Sequence, residues 1–425
     1  MTSLLLLMGL LLVGYLGSFL TSGERSVRGI GLPSSVEWVV LGFIVGPHAL
    51  GLVSSTVVES VKPIVYVGIG WLALVAGANY AVTPSGPVPG RRVAGTIAWA
   101  LVAAALASAA VYFAVPFLVD KMPEPTRRLL AVSLGAASVE TTRHVMRWVE
   151  ERYSAQGPVF RLLTDLADAE DLVPVMLVAA IMAMSQPEDA ILKPVVALGA
   201  TLALGVVLGL VSSLLLGAEF RLRESWGVLL GTSILAIGVA ARVGLSVMTV
   251  LFVLGVTIAI ASKHADEIRQ MLLATERSAL LPILLVCGIR AEATTIAPTL
   301  SLAAVVVVVR VVLKYLLGAG IGLAVPAARP AGGLVGVGMM SSGALTMLIG
   351  LSINLRFPGF LGETALVSAA LLNVVGELFG PPALRTALRR VGEIQAKEAP
   401  PSEPLIEEPE DRPSERELPW TEEEP

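Results

Sequence analysis

Runs of about twenty apolar residues recur along almost the whole chain, and no other feature limits so sharply what it can fold into. Such a run crosses hydrocarbon as a helix, because about 20 residues rising 1.5 Å each span a core about 30 Å thick. The runs are continuous, not alternating stretches of about ten, which excludes a transmembrane barrel. Of 425 residues, 55% are hydrophobic and 15% charged, too little charge to cover a soluble surface. Mean hydropathy is +0.79. The expected fold class is an all-α polytopic membrane protein.

Gly, Pro and charged residues separate about thirteen expected spans. They run roughly over 3–20, 33–52, 61–82, 93–118, 127–148, 158–184, 189–217, 225–240, 243–262, 273–289, 296–326, 331–354 and 361–384. The first, MTSLLLLMGLLLVGYLGSFL, has no basic leader and no small-x-small cleavage site, so a transmembrane helix is expected there, not a signal peptide. Residues 1–392 form the expected transmembrane domain. From 393 to 425 the chain turns Pro- and Glu-rich, and a disordered acidic tail is expected, too short for a nucleotide-binding domain. The one cysteine, Cys287, excludes an intrachain disulfide. Sixteen Lys and Arg fall in one set of alternate loops, among them Arg91, Arg92, Arg221 and Arg389, against eight in the other. That bias puts the N-terminus outside and the tail in the cytoplasm, in a multi-pass cell (inner) membrane protein.

One stretch breaks the apolar pattern. TDLADAEDLVPVMLVAAIMA (164–183) puts Asp165, Asp168, Glu170 and Asp171 ahead of twelve uncharged residues. If the span runs over 158–184, about 40 Å of helix, its middle is Asp171. A carboxylate there costs several kcal/mol unless it is paired, protonated or facing water. A helix starting at Pro174 would leave only about ten residues before Gln186–Pro187, too few to cross. Pro174 has no N–H, so the Glu170 carbonyl is expected to lose its helical partner. A carboxylate pair with a freed carbonyl is hard oxygen chemistry, suited to an alkali cation or a proton. Glu170 and Asp171 are therefore the expected cation ligands. Asp168, three residues before Asp171, shares its face, and Asp165 is expected to be solvated near the cytoplasmic end.

Three further spans carry unusual residues near their middles. Span five, AVSLGAASVETTRHVMRWV, holds Glu140, Thr141 and Thr142. Span eleven, LAAVVVVVRVVLKYLLGAG, holds Arg310 and Lys314, four apart on one face. Arg310 lies about 15 Å from either interface, too far to snorkel, and is expected to face the bundle against a carboxylate. In span twelve Ser341, Ser342 and Gly343 suit either close helix packing or an interruption. Spans five and twelve enter from opposite sides, as in inverted repeats whose broken helices meet at the midplane.

These stretches resemble the monovalent cation:proton antiporters, of the Kef and sodium/proton exchanger type. LGFIVGPHALGLV (41–53) is similar to a G-x-x-x-G-P-x-x-L-G-L segment of that family, and FRLLTDLADAEDLVPVMLVA (160–179) to its span with a paired acid. VVVVVRVVLKYLLGAGIG resembles its basic helix, and NVVGELFGPPALRTALRRVGE (373–393) its closing helix. AGANY (76–80) stands where the family has G-L-E, SSGAL (341–345) where it has R-G-E or G-G-E, and Glu140 is an additional acid. These departures mark a divergent member.

The resemblance implies an inverted-repeat fold with two crossed discontinuous helices, five and twelve. Core helices would occupy about 93–184 and 296–384 and dimerisation helices about 3–82 and 225–289, in a homodimer. It implies exchange of Na+ or K+ for protons by alternating access. Asp171 would take cation and proton in turn, with Glu170 in support. Asp168, Glu140, Thr141, Thr142 and Ser342 would be further ion or proton ligands, and Arg310 and Lys314 would compensate charge. Only Lys314 of these two bases would be able to release a proton. Two other classes stay open: a gated cation channel or ion sensor on the same scaffold, separated by flux stoichiometry, and an organic-anion symporter with Arg310 and Lys314 as anion site, separated by substrate competition. No cofactor, enzymatic activity or nucleic-acid partner is expected. His48, His144 and His264 are scattered and expected in loops or at interfaces.

Overall fold

The computed structural model describes Glu37 to Ile394 apart from breaks at 48, 54, 81, 84–85, 187–192, 218–221 and 293–294, with Gly9 and Ser35 before that range. The expected first span, His48 and nearly all of the expected tail lie outside the described residues.

In chain order the helices are α1 (Glu37–Val45), α2 (Ser55–Ser60), α3 (Lys62–Ala78), α4 (Gly90–Leu118), α5 (Glu124–Ala137), α6 (Arg143–Tyr153), α7 (Pro158–Ala169) and α8 (Leu172–Met184). They continue with α9 (Pro194–Leu215), α10 (Leu222–Val243), α11 (Val247–Ala261), α12 (Ala265–Arg290), α13 (Ile296–Ala324), α14 (Leu334–Val337), α15 (Ala344–Arg356) and α16 (Phe360–Arg390). A hairpin of two-residue strands, Val82–Thr83 with Gly86–Pro87, joins α3 to α4.

A helix or helix pair stands at each expected span from the second to the thirteenth, but they differ in length. Among the described residues six helices are long and apolar enough to cross a membrane, or seven with a bent pair counted as one span. α1, at nine residues, is far shorter than the span expected over 33–52. The longest, α4, α13 and α16, run 29, 29 and 31 residues. Val195, Leu214, Val308 and Leu323 stand outward on α9 and α13, more than 60% exposed, as side chains facing lipid do.

Two groups of helices pack side by side. In one, α3 lies against α11 and α12, α9 against α11, and α1 against α12. A Cβ at Gly42 or Gly288 would strike the backbone of the facing helix, so both positions need glycine for α1 and α12 to meet. In the other, α4 packs on α5 and α13, while α13 and α15 both lie on α16. The groups touch where α8 meets α11 and α15 meets α3.

Two helices are interrupted deep inside. Five residues, 138–142, separate α5 from α6. Three residues, 341–343, separate the 3-10 turn Gly338–Met340 from α15, and the chain bends 52° there. Span six is not one uninterrupted helix either. A turn at Glu170–Asp171 divides α7 from α8, although both residues keep helical φ and ψ. The Glu170 carbonyl is not freed as expected, because the Val173 amide donates to it at 3.3 Å in a tighter turn before Pro174.

Candidate functional site at the helix crossing

The two interruptions meet. The Thr142 amide donates to the Ser341 carbonyl at 2.9 Å, and the Thr141 hydroxyl to the Met339 carbonyl at 3.0 Å. Each break leaves unpaired carbonyls where one half-helix stops and unpaired amides where the next starts. The residues gathered there match those ends in charge. Glu140 Oε2 accepts from the Gly343 amide at 2.8 Å and from the Thr346 hydroxyl at 2.6 Å, placing an anion at the positive start of α15. The Thr142 side chain caps α6 by accepting from the His144 amide at 3.3 Å.

Arg310 serves the opposite ends. It is 1% exposed, and its guanidinium donates to the carbonyls of Ser138 and Glu140 and, at 3.1 Å, to that of Met340. The sequence reading pairs Arg310 with a carboxylate; its hydrogen-bond partners are three main-chain carbonyls instead. The reason is local: α5 and the 3-10 turn both end beside α13, and a planar five-donor fork reaches several carbonyls at once.

Lys314, one turn further along α13, takes the carboxylate. Its ammonium donates to Glu170 Oε1 at 2.9 Å, to Oε2 at 3.2 Å and to the Thr141 hydroxyl at 2.6 Å. Gly336 lets α14 press on the Lys314 carbonyl, where any Cβ would collide.

Asp171 goes elsewhere. Its Oδ2 lies 3.4 Å from an Arg143 nitrogen, and Asp168 Oδ1 lies 3.5 Å from Arg143 Nε. Asp168 and Asp171 therefore share a face, as their spacing predicts. Glu170 and Asp171 do not share an ion site as expected, because consecutive helical residues point to different sides and each meets its own base. Among the described residues no three His, Cys, Asp or Glu side chains form a metal-binding group. Asp165 is not solvated as expected; it is 7% exposed and ion-paired with Arg92.

A cavity of about 40 Å³ opens beside Asp171, lined also by Glu140, Thr141, Thr142, Asn79, Arg143, His144 and Glu276. That holds a water or two, or a largely stripped cation. Asp171 Oδ1 is buried with no hydrogen-bond partner. A gap of about 10 Å³ lies on the other side, between Glu170, Arg310, Lys314, Ser138 and Trp99. Ser342 sits at the break with a buried, unpartnered hydroxyl but is not part of either wall.

Four polar wall residues are not among the expected site residues: Asn79, Arg143, His144 and Glu276. His144 is not a loop residue but opens α6, with Nε2 3.4 Å from Glu276 Oε1. A signal was available for three of them, since Arg143, His144 and Glu276 are ionisable residues within expected spans.

Two solved structures of the sodium proton antiporter MjNhaP1 from Methanocaldococcus jannaschii are similar to this chain. One, at pH 8, superposes with a TM-score of 0.68 at 14% identity over 92% of this chain and 100% of that one. The other, from an electron-microscopy map, gives 0.62 at 16% identity over 92% and 99%. The chain thus has the fold of that antiporter and is a multi-pass membrane protein. No protein-family profile matches the sequence. No curated protein matches it either.

Proposed function

We propose that this chain exchanges a monovalent cation, Na+ or K+, for protons across a membrane by alternating access, as a divergent relative of the Kef and sodium/proton exchanger type. One observation carries the reading: Asp171 presents a buried carboxylate oxygen without a partner to a cation-sized cavity where two broken helices cross. A buried carboxylate of that kind takes a positive charge, either a proton or a cation. Because one oxygen serves both, the two ions compete, and competition couples their fluxes. Thr141, Thr142 and Glu140 supply oxygens to the same wall, and Asp168 lies just behind.

Lys314 and Glu170 neutralise one another on the far side of the crossing, so Glu170 supports the site by holding Lys314, which in turn donates to Thr141. Arg310 and Glu140 complement the half-helix ends and let two interrupted helices stay buried. In this reading α4–α8 and α13–α16 move as the core against α1–α3 and α10–α12, which face a second copy. The tail lies in the cytoplasm and the N-terminus outside, in the cell (inner) membrane.

The test is transport by the full chain in proteoliposomes with an internal pH dye, titrating Na+, K+ and Li+ in turn. Cation-driven proton movement that saturates with one of them supports exchange. Proton-independent cation flux would favour the channel, and no response to any would refute the reading.

A further inference from the structure

AGANY (76–80), one of the stretches where this chain departs from the antiporter pattern, ends on a tyrosine that reaches the turn carrying the acids. The Tyr80 hydroxyl donates to the Ala169 carbonyl at 3.2 Å. Ala169 is fully buried and closes α7, two residues before Asp171. In an unbroken helix the Val173 amide would serve that carbonyl. Here Val173 donates to Glu170 at 3.3 Å, the acceptor that Pro174 cannot serve. The tightening passes the released carbonyl one residue back, to Ala169, and a buried carbonyl needs a donor. Tyr80 supplies it.

Tyr80 itself is fixed to the facing group of helices. Its ring meets Phe252 of α11 edge-on, with centroids 5.7 Å apart. A Cβ at Gly77 would strike the Phe252 carbonyl, so glycine lets α3 close on α11 just ahead of the tyrosine. Asn79 Nδ2 donates back to the Val75 carbonyl at 2.7 Å and closes the end of α3. The acceptor, by contrast, belongs to α7. The main chain of the turn is otherwise tied by long bonds, from the Glu170 amide to Leu166 at 3.2 Å and from the Val175 amide to Asp171 at 3.4 Å. Lys314 holds the Glu170 side chain at both oxygens, whereas Arg143 meets Asp171 at Oδ2 and 3.4 Å.

We infer that Tyr80 is a positioning residue for the proposed ion site: its hydroxyl pins the Glu170–Asp171 turn from the facing helices and keeps Asp171 Oδ1 at the cavity. This rests on the exchange reading above and adds to it a residue outside the cavity wall. In that reading the two groups move past one another, so the bond is made in the position shown and broken when the core moves. Tyr80 thereby favours ion capture in this position.

The experiment measures half-saturating cation concentration and maximal rate of proton exchange by the reconstituted full chain, with the monovalent cation the wild type uses. Tyr80→Phe keeps the ring on Phe252 and removes the hydroxyl. It raises the half-saturating concentration by about fivefold, the worth of one hydrogen bond, and leaves the maximal rate within about twofold. Thr249→Val removes another hydroxyl bond between the same groups, from α11 to the Val175 carbonyl at 3.0 Å. That carbonyl lies inside α8, where the helix supplies its own donor, so half-saturation stays at the wild-type value. An unaltered half-saturating concentration in folded Tyr80→Phe overturns the proposal. Equal rises in both variants overturn it too, since any lost contact between the groups would then suffice. A Tyr80→Phe protein too unstable to reconstitute assigns the hydroxyl to folding and likewise overturns it. If the wild type exchanges no monovalent cation for protons, the exchange reading fails and takes this inference with it; wild-type exchange with Tyr80→Phe unaltered removes this inference only.

Discussion

Arg310 donates to three main-chain carbonyls from two interrupted helices, so its loss strands all three in a buried place. A buried carbonyl left without a donor costs about 1–3 kcal/mol, so Arg310→Ala should lower stability by about 3 kcal/mol or more. Arg310→Lys should recover little, because one ammonium does not reproduce a planar fork over three acceptors. Melting in detergent checks both, and a melting temperature unmoved in Arg310→Ala would mean the carbonyls find water. Glu140→Gln should weaken the start of α15 by about 1 kcal/mol, since the amide keeps one acceptor but loses the charge that suits a helix N-terminus. Its readout is the same melting curve. At this scale the sequence marked the unusual residues well. Asp171, Glu140, Arg310 and Lys314 all stand out because charge inside a twenty-residue apolar run is expensive. Their pairing was not legible. Which base meets which acid depends on how α6 and α13 lie against α7 and α8, and helix spacing alone carries no such information. Arg310 against carbonyls follows from the breaks, which set free main-chain groups that a continuous helix would have consumed.

Among the helices, α7 is held at its start from a distance. Glu393, just past α16, accepts the Val159 amide at 2.8 Å and the Phe160 amide at 2.7 Å, and its own carbonyl accepts from Gln156 at 3.0 Å. Gly157 makes room for that carboxylate, where a Cβ would overlap it. The closing segment of the chain thereby caps the helix that leads into Asp168 and Asp171. Glu393→Ala should cost about 1–2 kcal/mol and quicken amide exchange at Val159 and Phe160, with residues of α11 unaffected. Exchange at those two amides that stays as slow as in the wild type would show that the cap is replaceable. Sequence periodicity placed a span at each described helix or helix pair, but several ends miss, as at Glu37–Val45 against 33–52 and Ala265–Arg290 against 273–289. It gave no sign of Glu393, because a cap contributed from 234 positions away leaves no local pattern. The break in span twelve was half legible: Ser341, Ser342 and Gly343 weaken a helix, yet the same residues also suit close packing. The Glu170 carbonyl that Pro174 was expected to free stays bonded, because a one-step tightening of the turn brings the Val173 amide to it.

For the whole molecule, spans five and twelve are seven spans apart, an odd separation that leads the sequence reading to have them enter from opposite sides, and the structure joins the two interrupted helices through Thr142 and Ser341. The Lys and Arg asymmetry is the basis for proposing that the tail is cytoplasmic. A protease added to inverted vesicles should remove the acidic tail, and the same protease outside intact cells should not; the reverse would invert the orientation. The central claim is that one carboxylate alternates between cation and proton. Asp171→Asn keeps the shape and removes the charge, so its most direct test is cation-driven proton flux by wild type and Asp171→Asn in matched proteoliposomes, with melting temperature recorded for both. The account predicts flux lost by about a hundredfold or more in the variant with folding retained, since no other unpartnered acid lines the cavity beside Asp171 among the described residues. Wild-type flux in a folded Asp171→Asn protein would contradict it.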